Sequence, residues 1–482
     1  MLLDDQRVFL AKVPKCSYEV LPGVRFPELD PAEPVTTALV GLRELMVGAS
    51  LDAGRLGQAS WNPLGDLVPP GARVVIKPNW VASPFPGYND GESLVVHTHV
   101  IDALLRYLKK VPECSVTVGD APIQGCDFEK LLAVNRVRET VLPHITGFRK
   151  LEIVDFRRTI LDRRLSPRVA RGCRPEDAYV LFDLGAESLL EPVTSPDHRF
   201  RVTVYNPEHL ARTHRPGVHK YLIAKEVLEA DVVFNLAKLK THKKAGITGA
   251  LKNLVGVNGH KEYLPHHRLG GSGMEGDCYP GRSRLKRLAE AVLDAGNRTE
   301  NLRWMRAAGL VAATLLQMAV FLGEDDNLEG SWYGNDTVWR MCLDLQRIVH
   351  YGRVDGTMAQ MPQRRVITIT DAIIAGQGEG PLRPSPLPLG LMTLAVSPAA
   401  ADAVHCYLLG MDPFKVPLIR EALRLVKWPL VVRQFENVIV HLSGSKMTPK
   451  EAAQRVGKQA VLPRGWRGFC ECQGAESERV AQ

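Results

Sequence analysis

Four stretches of the 482-residue chain end an apolar, β-branched run in polar side chains. Residues 73–77 (RVVIK) run into Lys77-Pro78-Asn79, and residues 115–118 (SVTV) into Gly119-Asp120-Ala121-Pro122. Residues 231–236 (DVVFNL) lead to Lys238, Lys240 and His242, and residues 365–370 (RVITIT) to Asp371. In open α/β sheets ligands bind beyond the carboxyl ends of the strands, so four such transitions together predict one shared site.

The segment 238–262 is the densest in chemistry. An extended strand alternates its side chains, so Lys238, Lys240 and His242 share a face. Gly246 and Gly249 then relieve the turn into a helix carrying Lys252 and Asn253. Basic side chains near a helix start make an anion site, because free backbone N–H groups and the helix dipole add to their charge. A solvated basic loop is the competing reading; these lysines directly follow a buried-type strand, which favours the anion site. Lys77, Lys238, Lys240 and Lys252 are then the charge-binding residues, with Asn79 and Asn253 orienting the ligand. His242, flanked by lysines, stays neutral and is the first candidate for a base near pH 7.

Asp120, Asp371 and Glu379 can hold a divalent cation or act as acid–base groups, since hard cations prefer oxygen ligands. Glu379 stands among Gly376, Gly378 and Gly380 before Pro381, which fits neither phosphate-binding glycine motif. These glycines shape a tight turn that presents Glu379, or let backbone approach a ligand, or belong to a plain surface turn. His266 and His267 are adjacent and can hardly both bind one ion, so a surface or hydrogen-bonding role is expected. Asp402, early on a helix, is expected to favour that helix's own dipole.

These residues need a scaffold. Strands are expected at the four runs above and at Leu151–Asp155, Tyr179–Leu184 and Leu391–Val396, with helices at Asp127–Val141 and Ala399–Leu409. Strands alternating with helices predict an α/β fold: a Rossmann-like, mostly parallel sheet with helices on both faces. Residues 282–350 are strand-poor and read as a helical insertion. The chain then divides into a first part of the α/β core (1–281), the insertion, a second part of the core (351–465) and a polar tail (466–482). The apolar stretch Ala307–Gly323 contains Thr314 and Gln317 and falls short of the ~20 apolar residues of a spanning helix, so burial or shallow membrane contact is expected.

Composition narrows the class. The apolar share of 45% and charged share of 24% are those of a globular protein, which excludes disordered and fibrous chains. Net charge is +8 with a pI of about 9.0, compatible with an anionic small molecule, nucleic acid or a membrane surface. Arg157, Arg158, Arg163, Arg164, Arg168, Arg171 and Arg174 form the strongest basic cluster. They lack aromatic interleaving, so a solvated or partner-facing loop is favoured over nucleic-acid binding. Nine cysteines without a CxxC pair, and an opening Met-Leu-Leu-Asp-Asp that is acidic where a signal peptide is basic, predict a reducing, cytoplasmic setting.

Taken together, VVIKPNW (74–80), VTVGDAP (116–122), DVVFNLAKLKTH (231–242), LKNLVGVNGHK (251–261), ITDAIIAGQGEGPL (369–382) and SPAAADAV (397–404) resemble domain-of-unknown-function family 362. The resemblance runs from about residue 70 to residue 410 in the family's order. It implies a Rossmann-like α/β fold and a role in anaerobe metabolism or in biosynthetic and polysaccharide clusters. Many members carry a ferredoxin-type iron–sulfur insert. This chain has no CxxCxxC run, and Cys470 with Cys472 cannot hold a four-iron cluster, so a subgroup without that insert is expected. The expected function is an enzyme binding an anionic carboxylate or phosphate substrate in a basic crevice, with a divalent metal as a cofactor that the acidic residues can support. The alternatives are a non-catalytic ligand-binding or scaffold protein, and a redox protein using Cys470 and Cys472.

Overall fold

The computed structural model describes residues 6–83, 91–161, 170–202, 205–299, 301–430 and 435–472. Its centre is a ten-stranded sheet. In chain order the strands are β1 (Arg7–Lys12), β2 (Arg73–Pro78), β3 (Ser115–Asp120), β4 (Lys150–Asp155), β5 (Val232–His242), β6 (Gly246–Thr248), β7 (Arg365–Glu379), β8 (Arg383–Ala395), β9 (Ile439–Leu442) and β10 (Ser445–Met447). They lie in the order β10-β9-β1-β8-β7-β5-β2-β3-β4, with β6 folded back onto β5. The half formed by β7, β5, β2, β3 and β4 is parallel, so its carboxyl ends share one edge. The long hairpin of β7 and β8 and the strand β1 extend the sheet in antiparallel fashion.

Period-two alternation divides the core. Val74, Ile76, Phe234 and Leu236 face one layer, which contains α1 (Thr37–Gly48) and α2 (Thr98–Leu108). Val75 and Val233 face the other, which contains α3 (Ala250–Asn253), α6 (Val338–Tyr351) and α7 (Pro398–Leu408). Strands buried on both faces read as continuous apolar runs, as RVVIK and DVVFNL do.

The stretch 282–350 divides in two. Helices α4 (Arg284–Asn297) and α5 (Leu302–Phe321) pack on each other, with a Cβ on Gly296 reaching 2.7 Å from the Ala308 side chain. Helix α6 is instead buried in the main core. Over Arg303–Phe321, α5 is long and apolar enough to cross a membrane, yet only 17% of it is buried. The expected burial against the protein therefore gives way to an exposed apolar helix, with Trp304, Leu310 and Phe321 open to solvent.

Several expected elements change shape. Residues 179–183 do form a strand, but in a separate three-stranded sheet with Val218–Ala224 and His214–Arg215. The helix expected over 127–141 breaks into Phe128–Val134 and Val137–Val141 at Arg136, whose φ is +51°. The tail is anchored rather than loose as far as Cys472: Trp466 and Cys470 are buried, and Trp466 Nε1 donates to the Lys243 carbonyl at 2.8 Å. Arg157 is a structural group, donating to Asp155 and to the carbonyls of Ile123, Gln124 and Cys126. Arg158 pairs with Glu176 and Arg174 with Glu226, while Arg163, Arg164 and Arg168 lie outside the described residues.

Candidate functional site

Beyond the carboxyl ends of β2, β3 and β5 lies a cavity of about 460 Å³. Lys77, Lys240, Lys243, Lys244, Lys252 and Lys261 line it, together with His242 and His266. Asp120 and Glu329 are its acidic residues, and Val81, Ile123, Val202, Tyr205, Leu264 and Leu382 supply an apolar wall. Of the ten residues singled out from the sequence, the structure brings seven to this cavity: Lys77, Asn79, Asp120, Lys240, His242, Lys252 and Asn253.

The floor is a buried polar lattice. Lys77 Nζ pairs with Asp120 Oδ1 at 2.8 Å and donates to Asn253 Oδ1 at 3.0 Å. Asp120 Oδ2 accepts from the Trp80 backbone N–H at 2.6 Å. Lys240 Nζ donates to Asn79 Oδ1 at 3.0 Å and to the Leu94 carbonyl. Asn79 Nδ2 in turn donates to Asn253 Oδ1 at 2.9 Å. Asn253 Nδ2 reaches Asn235 Oδ1 at 2.7 Å, so both ends of Asn253 lock α3 to β2 and β5.

The start of α3 is held from across the core. Asp402 accepts from the backbone N–H of Ala250 at 2.7 Å and of Leu251 at 2.8 Å, and pairs with His405 Nδ1 at 2.9 Å. Its carboxylate thus serves another helix, not the dipole of its own helix α7. A Cβ on Gly249 would stand 2.1 Å from Asp402 Oδ1, so only glycine fits there.

Burial sets the electrostatics. It lowers the Lys77 ammonium despite the opposing pull of Asp120, and lowers Lys240 well below the usual lysine range, helped by Lys238 and Lys252. Lys244 falls to about 8 and Lys261 to about 7, again chiefly through burial. His242 and His266 are held well below the ordinary histidine value by burial and by the lysines, so both are neutral near pH 7. Their ring protons differ. His242 Nδ1 accepts from the backbone N–H of Lys244 at 3.0 Å and of Ala245 at 3.2 Å, which leaves the proton on Nε2. His266 Nδ1 lies 2.6 Å from the Leu264 carbonyl and must donate to it, which leaves a lone pair on Nε2.

Three expected residues lie elsewhere. Lys238 Nζ is buried against Asp371 Oδ2 at 2.9 Å and Tyr18 Oη at 2.7 Å, two residues before Lys240 on β5. Tyr18 Oη also donates to Asp371 Oδ1 at 2.5 Å and its ring stacks on His97 at 3.9 Å, so this cluster fills its own space. Glu379 is exposed at the end of β7, where it accepts from the Arg464 backbone N–H at 2.9 Å. Asp120, Asp371 and Glu379 thus have separate partners and do not converge. The glycines near Glu379 serve close packing: a Cβ on Gly376 would stand 2.6 Å from the Lys240 side chain, and one on Gly380 1.9 Å from the Thr241 carbonyl.

Lys243, Lys244, Lys261, Tyr205 and Glu329 complete the cavity without a role expected of them, and His266, expected to serve only at the surface or in a hydrogen bond, lines it too. The basic run after β5 signals the first two. The others come from loops with no periodicity to read.

Against known proteins, the family described as a domain of unknown function (DUF362) matches residues 180–407, a span containing β5, α3, β7 and the lysine-rich wall. The matched span is 228 of the chain's 482 residues, just under half. A thylakoid-associated protein of Synechocystis sp. is similar to this chain, at 21% identity over 362 residues, 75% of this chain and 70% of its own length. A solved structure of a Thermotoga maritima protein aligns with 70% of the chain at 11% identity and a TM-score of 0.30. The chain spans about half, 54%, of that structure.

Proposed function

We propose that this chain is an enzyme of small-molecule metabolism that takes a substrate bearing a carboxylate or phosphate on a partly apolar body. The observation that carries this reading is the lining of the ~460 Å³ cavity: six lysines against two acids, with an apolar wall opposite. Cavities of roughly 300–1,000 Å³ with convergent polar groups suit small ligands. An anion entering this space restores the charge that burial withdraws from Lys244 and Lys261. His266, through its Nε2 lone pair, is the proton acceptor of the site, and His242, through Nε2–H, is a donor to an oxygen of the substrate.

The test is calorimetric titration of the full chain with inorganic phosphate and with small mono- and dicarboxylates. Lys261→Met should weaken binding about 10- to 100-fold, the value of one charged contact, while Lys446→Met on the surface should change nothing. Equal affinities in both variants would place the anion elsewhere. Turnover lost in His266→Gln with binding retained separates an enzyme from a binding protein.

A second reading concerns location. We propose a cytoplasmic protein whose α4–α5 hairpin rests on an anionic membrane surface. The exposed apolar flank of α5 and the exposed Arg303 and Arg306 beside Trp304 support it, since basic and aromatic residues bordering an apolar face suit the headgroup region. The thylakoid association of the Synechocystis relative agrees with it.

A further inference from the structure

A second, smaller space of about 20 Å³ lies against the lysine cavity and shares Val202 and Glu329 with it. That is room for one water molecule. Three side chains from three different elements meet there. His267 comes from a two-residue strand paired with Phe200–Arg201, Cys278 from a loop tied to Gly270 and Gly330, and Glu290 from the second turn of α4. Each offers one ligand atom, and these atoms all lie within 4.8 Å of one another. The residues are 5%, 1% and 5% exposed.

A cluster of this kind can be an ordinary buried hydrogen-bond network, and part of it is. Glu290 accepts from the Gly270 backbone N–H at 3.0 and 3.2 Å, and the Cys278 thiol hydrogen-bonds to Glu290. Two observations go further. His267 Nδ1 is buried without a hydrogen-bond partner among the described residues, an arrangement that costs free energy unless something occupies it. Cys278 Sγ also accepts the Glu329 backbone N–H at 3.1 Å, so its lone pairs face the cluster, while burial and the Glu290 carboxylate hold the thiol well above its usual range until a cation takes the place of its proton.

We propose that His267, Cys278 and Glu290 form a binding site for a divalent transition metal of the zinc class, with a water in the fourth position. The donor set decides the class. One imidazole nitrogen, one sulfur and one carboxylate oxygen suit a borderline-soft ion, whereas calcium and magnesium demand oxygens throughout. Charge balances: thiolate and carboxylate carry two negative charges, the imidazole none, and the ion two positive. On binding, the thiol proton leaves to solvent, together with the carboxyl proton where Glu290 carries one, and no oxidation accompanies the exchange. The water-sized space supplies the fourth ligand. The site does not rest on the function proposed above; it fixes the strand whose preceding residue, His266, faces the lysine cavity.

The experiment uses the full chain, stripped with a chelator and titrated with cobalt(II), with zinc as competitor. One cobalt per chain should bind, with a near-ultraviolet sulfur-to-cobalt charge-transfer band that zinc abolishes. Cys278→Ser should remove the band, and the exposed Cys16→Ser should keep it. Glu290→Gln should keep the band but weaken cobalt binding by at least the ~10- to 100-fold that loss of a group merely orienting a ligand costs. Should Cys278→Ser fail to fold by circular dichroism, the near-isosteric Glu290→Gln decides. Absence of cobalt uptake by the wild type, a band that survives in folded Cys278→Ser, or wild-type affinity in Glu290→Gln overturns the proposal.

Discussion

A Cβ placed on Gly256 would stand 1.9 Å from Asp120 Oδ1 and 2.5 Å from Lys77 Nζ. The 3-10 turn Leu254–Val257 that follows α3 therefore sits directly on the ion pair that floors the cavity, and the Gly256 carbonyl accepts the Ala121 backbone N–H at 2.8 Å. Gly256→Ala should force the pair apart, with a cost of about 1–3 kcal/mol typical of overpacking. Urea unfolding measures that loss, and phosphate titration should show weakened binding in the same variant.

Asp402→Ala removes the acceptor shared by Ala250, Leu251 and His405. Buried hydrogen bonds to a charged group are worth about 1.5–3 kcal/mol, so the variant should lose at least that much stability. Since α3 carries Lys252 and Asn253, anion affinity should fall too. A variant that unfolds at the wild-type urea concentration would show that α3 holds its place without the carboxylate.

Anion affinity should decline as pH rises through about 7 to 8, where unliganded Lys261 and Lys244 shed their protons. The sign follows from linkage: a bound anion raises both lysines, so binding takes up protons wherever the free groups are neutral. Calorimetry in buffers of different ionisation enthalpy near pH 8 should register that uptake, and Lys261→Met should diminish it.

Acid should destabilise the fold well above the carboxylate range. Burial lowers His97 and His214 to about 3, and His260 and His350 to about 4. A histidine depressed in the folded state is protonated first in the unfolded chain, so stability falls as pH drops below about 6.5 and goes on falling to the folded values. For the fully buried His214 the loss at pH 5 is about 2 kcal/mol, at roughly 1.4 kcal/mol per pH unit. Urea midpoints compared at pH 7 and pH 5 provide the check.

Leu310→Glu with Phe321→Glu should abolish co-sedimentation with phosphatidylglycerol vesicles and leave the fold intact, because both side chains are exposed. Unchanged co-sedimentation would remove α5 from the contact.

The strand ends were legible because a buried parallel strand is written as an uninterrupted β-branched run, and the change to lysine, asparagine or aspartate at its end is abrupt. Period two predicts one face for Lys238, Lys240 and His242, yet only Lys240 and His242 reach the cavity, while Lys238 meets Asp371 and Tyr18. It could not tell depth along the strand: Tyr18, 220 positions away in sequence, reaches Lys238 and fills the space around it. Strands β7 and β8 outrun their apolar segments because the Gly- and Pro-rich residues 376–388 have little strand preference of their own and are extended by pairing with each other. The place of Lys261 and His266 in the cavity is not legible for a related reason: both stand in segments whose course tertiary packing sets.

The neighbours His266 and His267 point into different spaces, the first into the lysine cavity and the second into the smaller one, because they sit at the start of a two-residue ladder in which His267 pairs with Arg201 and Arg268 with Phe200. A slip of one position in such a ladder sends every side chain to the opposite side. The spacing between Leu264 and Arg268 thus behaves like a frame: inserting or deleting one codon there would trade the occupants of two chambers at once. Lineages of this protein should tolerate substitutions in that stretch far more readily than changes in its length.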